Sequence, residues 1–128
     1  MLEDMYPIID AADIGLSVAV VLTSPETYKN TAHTITGPEA LDYYQVAAIL
    51  SDVLGEKITY THPSYLTYRN EYIKKRGLDK GYVNVTVALY FMTRMGTAKA
   101  VTPGFFELTG KQPKSFRDFA ITNRSAFV

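Results

Sequence analysis

The sequence predicts an α/β fold with few strands and many helices, and three observations carry that expectation. Thr34-Ile35-Thr36 is a β-branched run stopped by Gly37-Pro38, the pattern of a short strand with a breaker behind it. Val46, Ile49, Leu50, Val53 and Leu54 then recur at helical spacing. Ile58 to His62 is a second extended segment, following Gly55 at once. Strand, helix and strand with joints this short make a βαβ unit, right-handed with parallel strands. The expected architecture is two to three short, mostly parallel strands against about six helical segments.

Taken in order, Tyr6 to Ile9 is a short apolar run broken by Pro7. Asp10 is a good N-cap with Asp13 in the first turn, and Ile14, Val18, Val21 and Leu22 fall on one helical face. Gly15 is a poor helix former, so its position predicts close packing against a neighbour. Ser24-Pro25 ends this helix, and residues 26–30 read as a polar loop. Asp42 with Gln45 three residues on forms a capping box, and Gly55 suits a left-handed helix stop. Ser64 caps a helix running to Arg76 and closed by Gly77. Asp79 opens another, with Val83, Val87, Phe91 and Met95 on one face, ended or bent by Gly96. Thr102-Pro103 reads as a cap with proline at the first helical position, before a short turn stopped by Gly110. Ser115 to Asp118 reads as a second capping box, opening a terminal helix.

The chain has 128 residues, of which 47% are apolar, enough for one small domain or part of a larger one. Thirteen basic residues balance thirteen acidic ones, so long-range attraction to nucleic acid or an anionic membrane has no support. With no cysteine, disulfides and thiolate metal sites are excluded, in keeping with a cytoplasmic setting. The apolar runs fall short of a membrane span, and the acidic Met1-Leu2-Glu3-Asp4 does not read as a signal peptide.

No residue pattern reads as catalytic. His33 and His62 are the only histidines and lack further ligands at zinc spacing. Ser64 stands two residues from His62, but no acid is placed to orient the histidine, and the serine reads first as a helix cap. Gly37-Pro38-Glu39 reads as a strand terminator. Lys74-Lys75-Arg76 offsets the dipole at a helix C-terminus. Tyr65, Tyr68, Tyr72, Tyr90, Phe91, Met95, Phe105 and Phe106 form the richest group, which is either core or the lining of a pocket for a flat ligand. Within it, Tyr65, Phe91 and Met95 are the candidate pocket-facing positions.

Three stretches carry a family resemblance: Ile9-Asp10-Ala11-Ala12-Asp13-Ile14-Gly15, Thr36-Gly37-Pro38-Glu39-Ala40-Leu41, and Leu108 to Phe116 with its Thr-Gly-Lys-Gln-Pro-Lys-Ser core. Ala47 to Gly55 fits between them. In this order and spacing the chain resembles the C-terminal half of NmrA-like proteins, atypical short-chain dehydrogenase/reductase relatives that bind NAD(P). The resemblance runs from about residue 6 to residue 127. It implies that residues 1–56 are the last elements of a Rossmann-like domain, a partial sheet edge. Residues 57–128 are then a small, mainly helical lobe on the substrate side. It also implies that Asp10 lies near substrate, beside Tyr65, Phe91 and Met95.

The glycines stand at 15, 37, 55, 77, 81, 96, 104 and 110, so the tight spacing of a dinucleotide fingerprint is absent. The Tyr-x-x-x-Lys pair of short-chain dehydrogenases is absent too. Tyr65/Arg69, Tyr72/Arg76 and Tyr90/Arg94 have the spacing but carry arginine, which does not exchange protons, and they read as helix neighbours. The expectation is therefore a chain that binds no cofactor and catalyses nothing alone. It would serve an NAD(P)H-dependent parent acting on small, quinone-like acceptors. A non-catalytic redox-sensing interaction module is the alternative. The expected partner is the missing N-terminal Rossmann half or a second copy of this chain.

Overall fold

The computed structural model describes residues 5–127, and the described residues are mainly helical. The helices are α1 (Ala11–Thr23), α2 (Pro25–Tyr28), α3 (Tyr43–Leu54), α4 (Tyr65–Arg76), α5 (Lys80–Met92), α6 (Gly104–Thr109) and α7 (Phe116–Thr122). A π turn, Thr93–Thr97, extends α5 and breaks where Gly96 takes φ 83°. A 3-10 turn, Arg124–Ala126, follows α7.

Side chains set the helix starts. Asp10 accepts from the Ala12 N–H at 2.9 Å. Asp42 and Gln45 complete a reciprocal box, at 2.7 and 2.9 Å. Ser64, Asp79 and Ser115 each accept from the N–H three residues ahead. Asp118 does not reach back to the backbone of Ser115; it accepts from the serine hydroxyl at 2.6 Å. Gly55, Gly77 and Gly110 close α3, α4 and α6 in the left-handed conformation. The loop expected at residues 26–30 begins as the short helix α2, with Pro25 at its first position.

The strands do not form, which overturns the α/β expectation and the partial Rossmann-type edge. Among the described residues the only β pairing is an isolated antiparallel bridge between Tyr6 and Leu41. A ladder needs a neighbouring backbone in register, whereas here side chains meet the backbone. Thr102 donates its hydroxyl to the Thr34 carbonyl, and its N–H to the Thr36 hydroxyl at 2.9 Å. This use of Thr102 replaces the helix cap expected of it, and α6 starts without a side-chain cap. The Ser51 hydroxyl both takes the Ile58 N–H, at 2.9 Å, and donates to the Ile58 carbonyl, at 3.2 Å. β-branched residues favour extended backbone, but a pair of isolated segments makes no sheet without a partner strand.

Helix α1 packs on α6, α3 on α7, and α4 on α5. Phe105, Val83 and Ala120 are the most deeply buried apolar residues, with Leu41, Ala47, Leu54 and Leu108 around them. Two glycines permit close backbone approaches: a Cβ at Gly37 would overlap the Ile8 carbonyl, and one at Gly104 the Thr34 carbonyl. Gly15, expected to be packed, has no atom within 4 Å of where its Cβ would lie. It sits on α1 beside the exposed Ile14, Val18 and Leu22. Helix α5 likewise exposes Tyr82, Val85, Leu89 and Met92, a stripe at helical spacing. Among the described residues no helix is long and apolar enough to cross a membrane.

Candidate functional site

Tyr6, the start of α3, residues 60–63 and the α4–α5 pair border a half-open cavity of about 260 Å³. Tyr6, Tyr43, Tyr60, His62, Pro63, Tyr65, Tyr68, Tyr72, Tyr90 and Arg94 line it. The capping box fixes the first turn of α3 and so places Tyr43 at the wall. Tyr65, Tyr68 and Tyr72 follow i, i+3, i+7 spacing, which puts them on one face of α4. Tyr90 and Arg94 stand one turn apart beyond them, and an Arg69–Asn84 hydrogen bond of 2.7 Å ties α4 to α5.

The rings pack against one another. Tyr43 stacks on Tyr60 with centroids 5.2 Å apart, Tyr6 lies 5.0 Å from Tyr43, and Tyr68 meets Tyr90 edge-on at 5.5 Å. Burial pushes the Tyr43 hydroxyl well above the ordinary tyrosine range, helped by Tyr90 and Tyr6. Burial also pushes Tyr68 up, reinforced by the hydroxyls of Tyr72 and Tyr90. Both therefore keep their protons at neutral pH. The Arg94 guanidinium lies 5.3 Å from the Tyr65 ring centroid and pairs with the His62 imidazole. His62 takes φ 45°, a left-handed conformation uncommon outside glycine.

The residues singled out from sequence do not share one place. Tyr65 lines the cavity. Phe91 meets Tyr65 edge-on at 5.9 Å but lies outside the lining and is 52% exposed. Met95, on the π turn, is 57% exposed and also outside it. Asp10 borders a different cavity, between α1 and α7, where it pairs with Lys114 at 2.7 Å. Phe105 is buried core and Phe106 is exposed, both on α6. His33 sits apart from His62, bonded to the Thr31 hydroxyl and edge-on to Tyr28.

Sequence reasoning missed Tyr6, Tyr43, Tyr60, His62 and Arg94 as wall residues. The signal available was positional: Tyr43 follows a cap, and Tyr60 and His62 sit just ahead of Ser64. What brings them to α4 is tertiary, and periodicity within one helix does not report it.

At the starts of α1, α3, α4 and α5 a side chain accepts one of the free backbone N–H groups, and for α1, α3 and α5 that side chain is an aspartate. Among the described residues no group of histidine, aspartate and glutamate is arranged to hold a metal.

No protein-family model matches the chain. It is 32% identical over 126 residues to festuclavine synthase I of Penicillium roqueforti, covering 98% of this chain and 44% of that protein. It is 29% identical over 119 residues to an NAD(P)H azoreductase of Xenophilus azovorans, covering 93% and 41%. The fold superimposes with a TM-score of 0.79 on an NADPH-dependent quinone oxidoreductase of Escherichia coli, at 18% identity, over 97% of this chain and 43% of that one. The chain thus spans about two fifths of the length of the proteins it matches. Similarity that covers nearly every residue, on a shared fold, makes this chain similar to a C-terminal portion of NmrA-like, NAD(P)-dependent oxidoreductases.

Proposed function

We propose that this chain supplies the acceptor-binding part of an NAD(P)H-dependent oxidoreductase acting on small, planar organic acceptors of the quinone type. One observation carries the reading: a cavity of about 260 Å³ walled by seven tyrosines. That volume is close to the lower end of the roughly 300–1,000 Å³ typical of small-molecule sites. Flat aromatic faces favour flat ligands, and offset or edge contacts add about 0.5–1.5 kcal/mol each. The work of these residues is to bind the acceptor, orient it and exclude water. In this reading the dinucleotide, which supplies the hydride, is held by the part of such an oxidoreductase that this chain does not match. The names of the relatives, a festuclavine synthase and an NAD(P)H azoreductase, support a small organic acceptor.

Titration calorimetry with 1,4-naphthoquinone tests this on the chain itself. Saturable binding is expected, weakened at least tenfold by Tyr43→Ala and by Tyr90→Leu in variants with unchanged circular dichroism. No binding heat, or binding indifferent to both changes, overturns the reading. The exposed stripe Tyr82, Val85, Leu89 and Met92 favours a second reading, a non-catalytic redox-sensing module that docks a protein. Stoichiometric capture of a protein by a full-length parent without reductase activity would select it.

A further inference from the structure

We propose that the outer face of α1 is a docking surface for one protein unit, the N-terminal portion that the NAD(P)-dependent relatives carry and this chain does not match. The inference is independent of what the tyrosine cavity binds.

Helix α1 is inside out. A surface helix turns charged and polar side chains to water and apolar ones to the core. The thirteen residues of α1 hold one charge, Asp13, and it turns toward the chain, where its carboxylate takes the Lys114 N–H at 2.7 Å. Ser17 is 3% exposed and donates to the Asp13 carbonyl at 3.0 Å. At the far end the Thr23 hydroxyl bonds back to the carbonyls of Ala19 and Val20. Ala11, Ile14, Gly15, Val18, Ala19 and Leu22 are what face outward, with Val18 50% exposed.

Gly15 is a second observation. Glycine weakens a helix, and nothing within this chain uses the space that this one leaves. A surface brought close to α1 from outside would use it. Val18 and Leu22 also border a groove shared with Tyr28, His33 and Ile35. Beside it, among the described residues, the main-chain groups of Ala32 and Ile35 make no main-chain hydrogen bond. A protein occupant can pair such groups, and a lipid surface cannot.

The lengths of the relatives identify the occupant. The match to festuclavine synthase I covers 98% of this chain but 44% of that protein. The matched portion is C-terminal, so the unmatched length joins it ahead of α1, the first helix among the described residues. Consecutive elements are usually neighbours in space.

A chimera tests this: the unmatched portion of festuclavine synthase I joined ahead of this chain, its thermal unfolding compared with that of the chain alone. One cooperative transition is expected, lowered by about 5 °C or more by Val18→Lys and by Gly15→Leu. In the chain alone, Val18→Lys is expected to shift unfolding by less than about 2 °C, because that side chain meets water. There Gly15→Leu is expected to raise it, leucine being the better helix former. Opposite signs at Gly15 are what a role within α1 alone would not produce. Equal effects of each substitution in the two proteins overturn the proposal. So does a chimera that unfolds in two transitions, or the absence of soluble protein both from this host and from one built on the Escherichia coli quinone oxidoreductase. A chimera that self-associates and is dispersed by Val18→Lys gives the face to a second copy, and overturns it too. Binding of 1,4-naphthoquinone is read separately and stands or falls on its own.

Discussion

The Asp10 carboxylate takes the Ala12 N–H at 2.9 Å and the Lys114 ammonium at 2.7 Å, and its side chain is only 9% exposed. The hydrogen bond from Lys114, then that from Ala12, hold its pKa below the ordinary value of 3.8, while burial opposes them. A carboxyl depressed by folding stabilises the native state above its unfolded pKa, and that contribution is lost as pH falls through the lower folded value. Two substitutions separate the cap from the ion pair. Asparagine caps as well as aspartate, so Asp10→Asn removes only the pairing with Lys114. Asp10→Ala removes both, and is expected to be less stable than Asp10→Asn by about 1 kcal/mol at pH 7. Urea unfolding from pH 7 down to below 3.8 should also show a shallower acid loss in Asp10→Asn than in the parent chain. At this position the sequence disclosed the cap but not the partner, since Lys114 lies 101 residues from Asp13, whose carboxylate takes the Lys114 N–H.

At the level of elements, the helices were legible and the strands were not. Helix ends are local events: Asp42 with Gln45, Ser64, and the glycines at 55, 77 and 110 act within a few residues of themselves. A strand is settled by its neighbour, and residues 34–36 find the Thr102 side chain where a ladder would need backbone. The cavity was half-legible for the same reason. The α4 face Tyr65, Tyr68, Tyr72 follows from spacing, whereas Tyr6 and Tyr60 arrive from elsewhere. Glycine separates the two kinds of information most clearly. Gly15 lies in α1 with open space around it, so Gly15→Ala should stabilise the chain by about 0.5–1 kcal/mol through helix propensity. Gly37→Ala would drive a methyl group into the Ile8 carbonyl, and is expected to cost more than the roughly 0.5–3 kcal/mol of an ordinary substitution. Paired denaturation curves check both signs, and a stabilised Gly37→Ala would refute the close approach.

Across the whole molecule, apolar side chains remain on two outer faces: Ile14, Val18 and Leu22 on α1, and Tyr82, Val85, Leu89 and Met92 on α5. Contiguous patches of this kind on a lone chain invite association. Sedimentation velocity is expected to show concentration-dependent self-association, reduced by Val85→Lys together with Leu89→Lys and further by Val18→Lys. A single monomeric species at high concentration would contradict this. The cavity has an optical consequence as well. With no tryptophan in the chain, its ultraviolet emission comes from ten tyrosines, and seven of them border one hollow. The native glow of this protein is therefore largely a signal from the walls of one half-open cleft, and an occupant that absorbs or quenches there will announce itself without any attached dye.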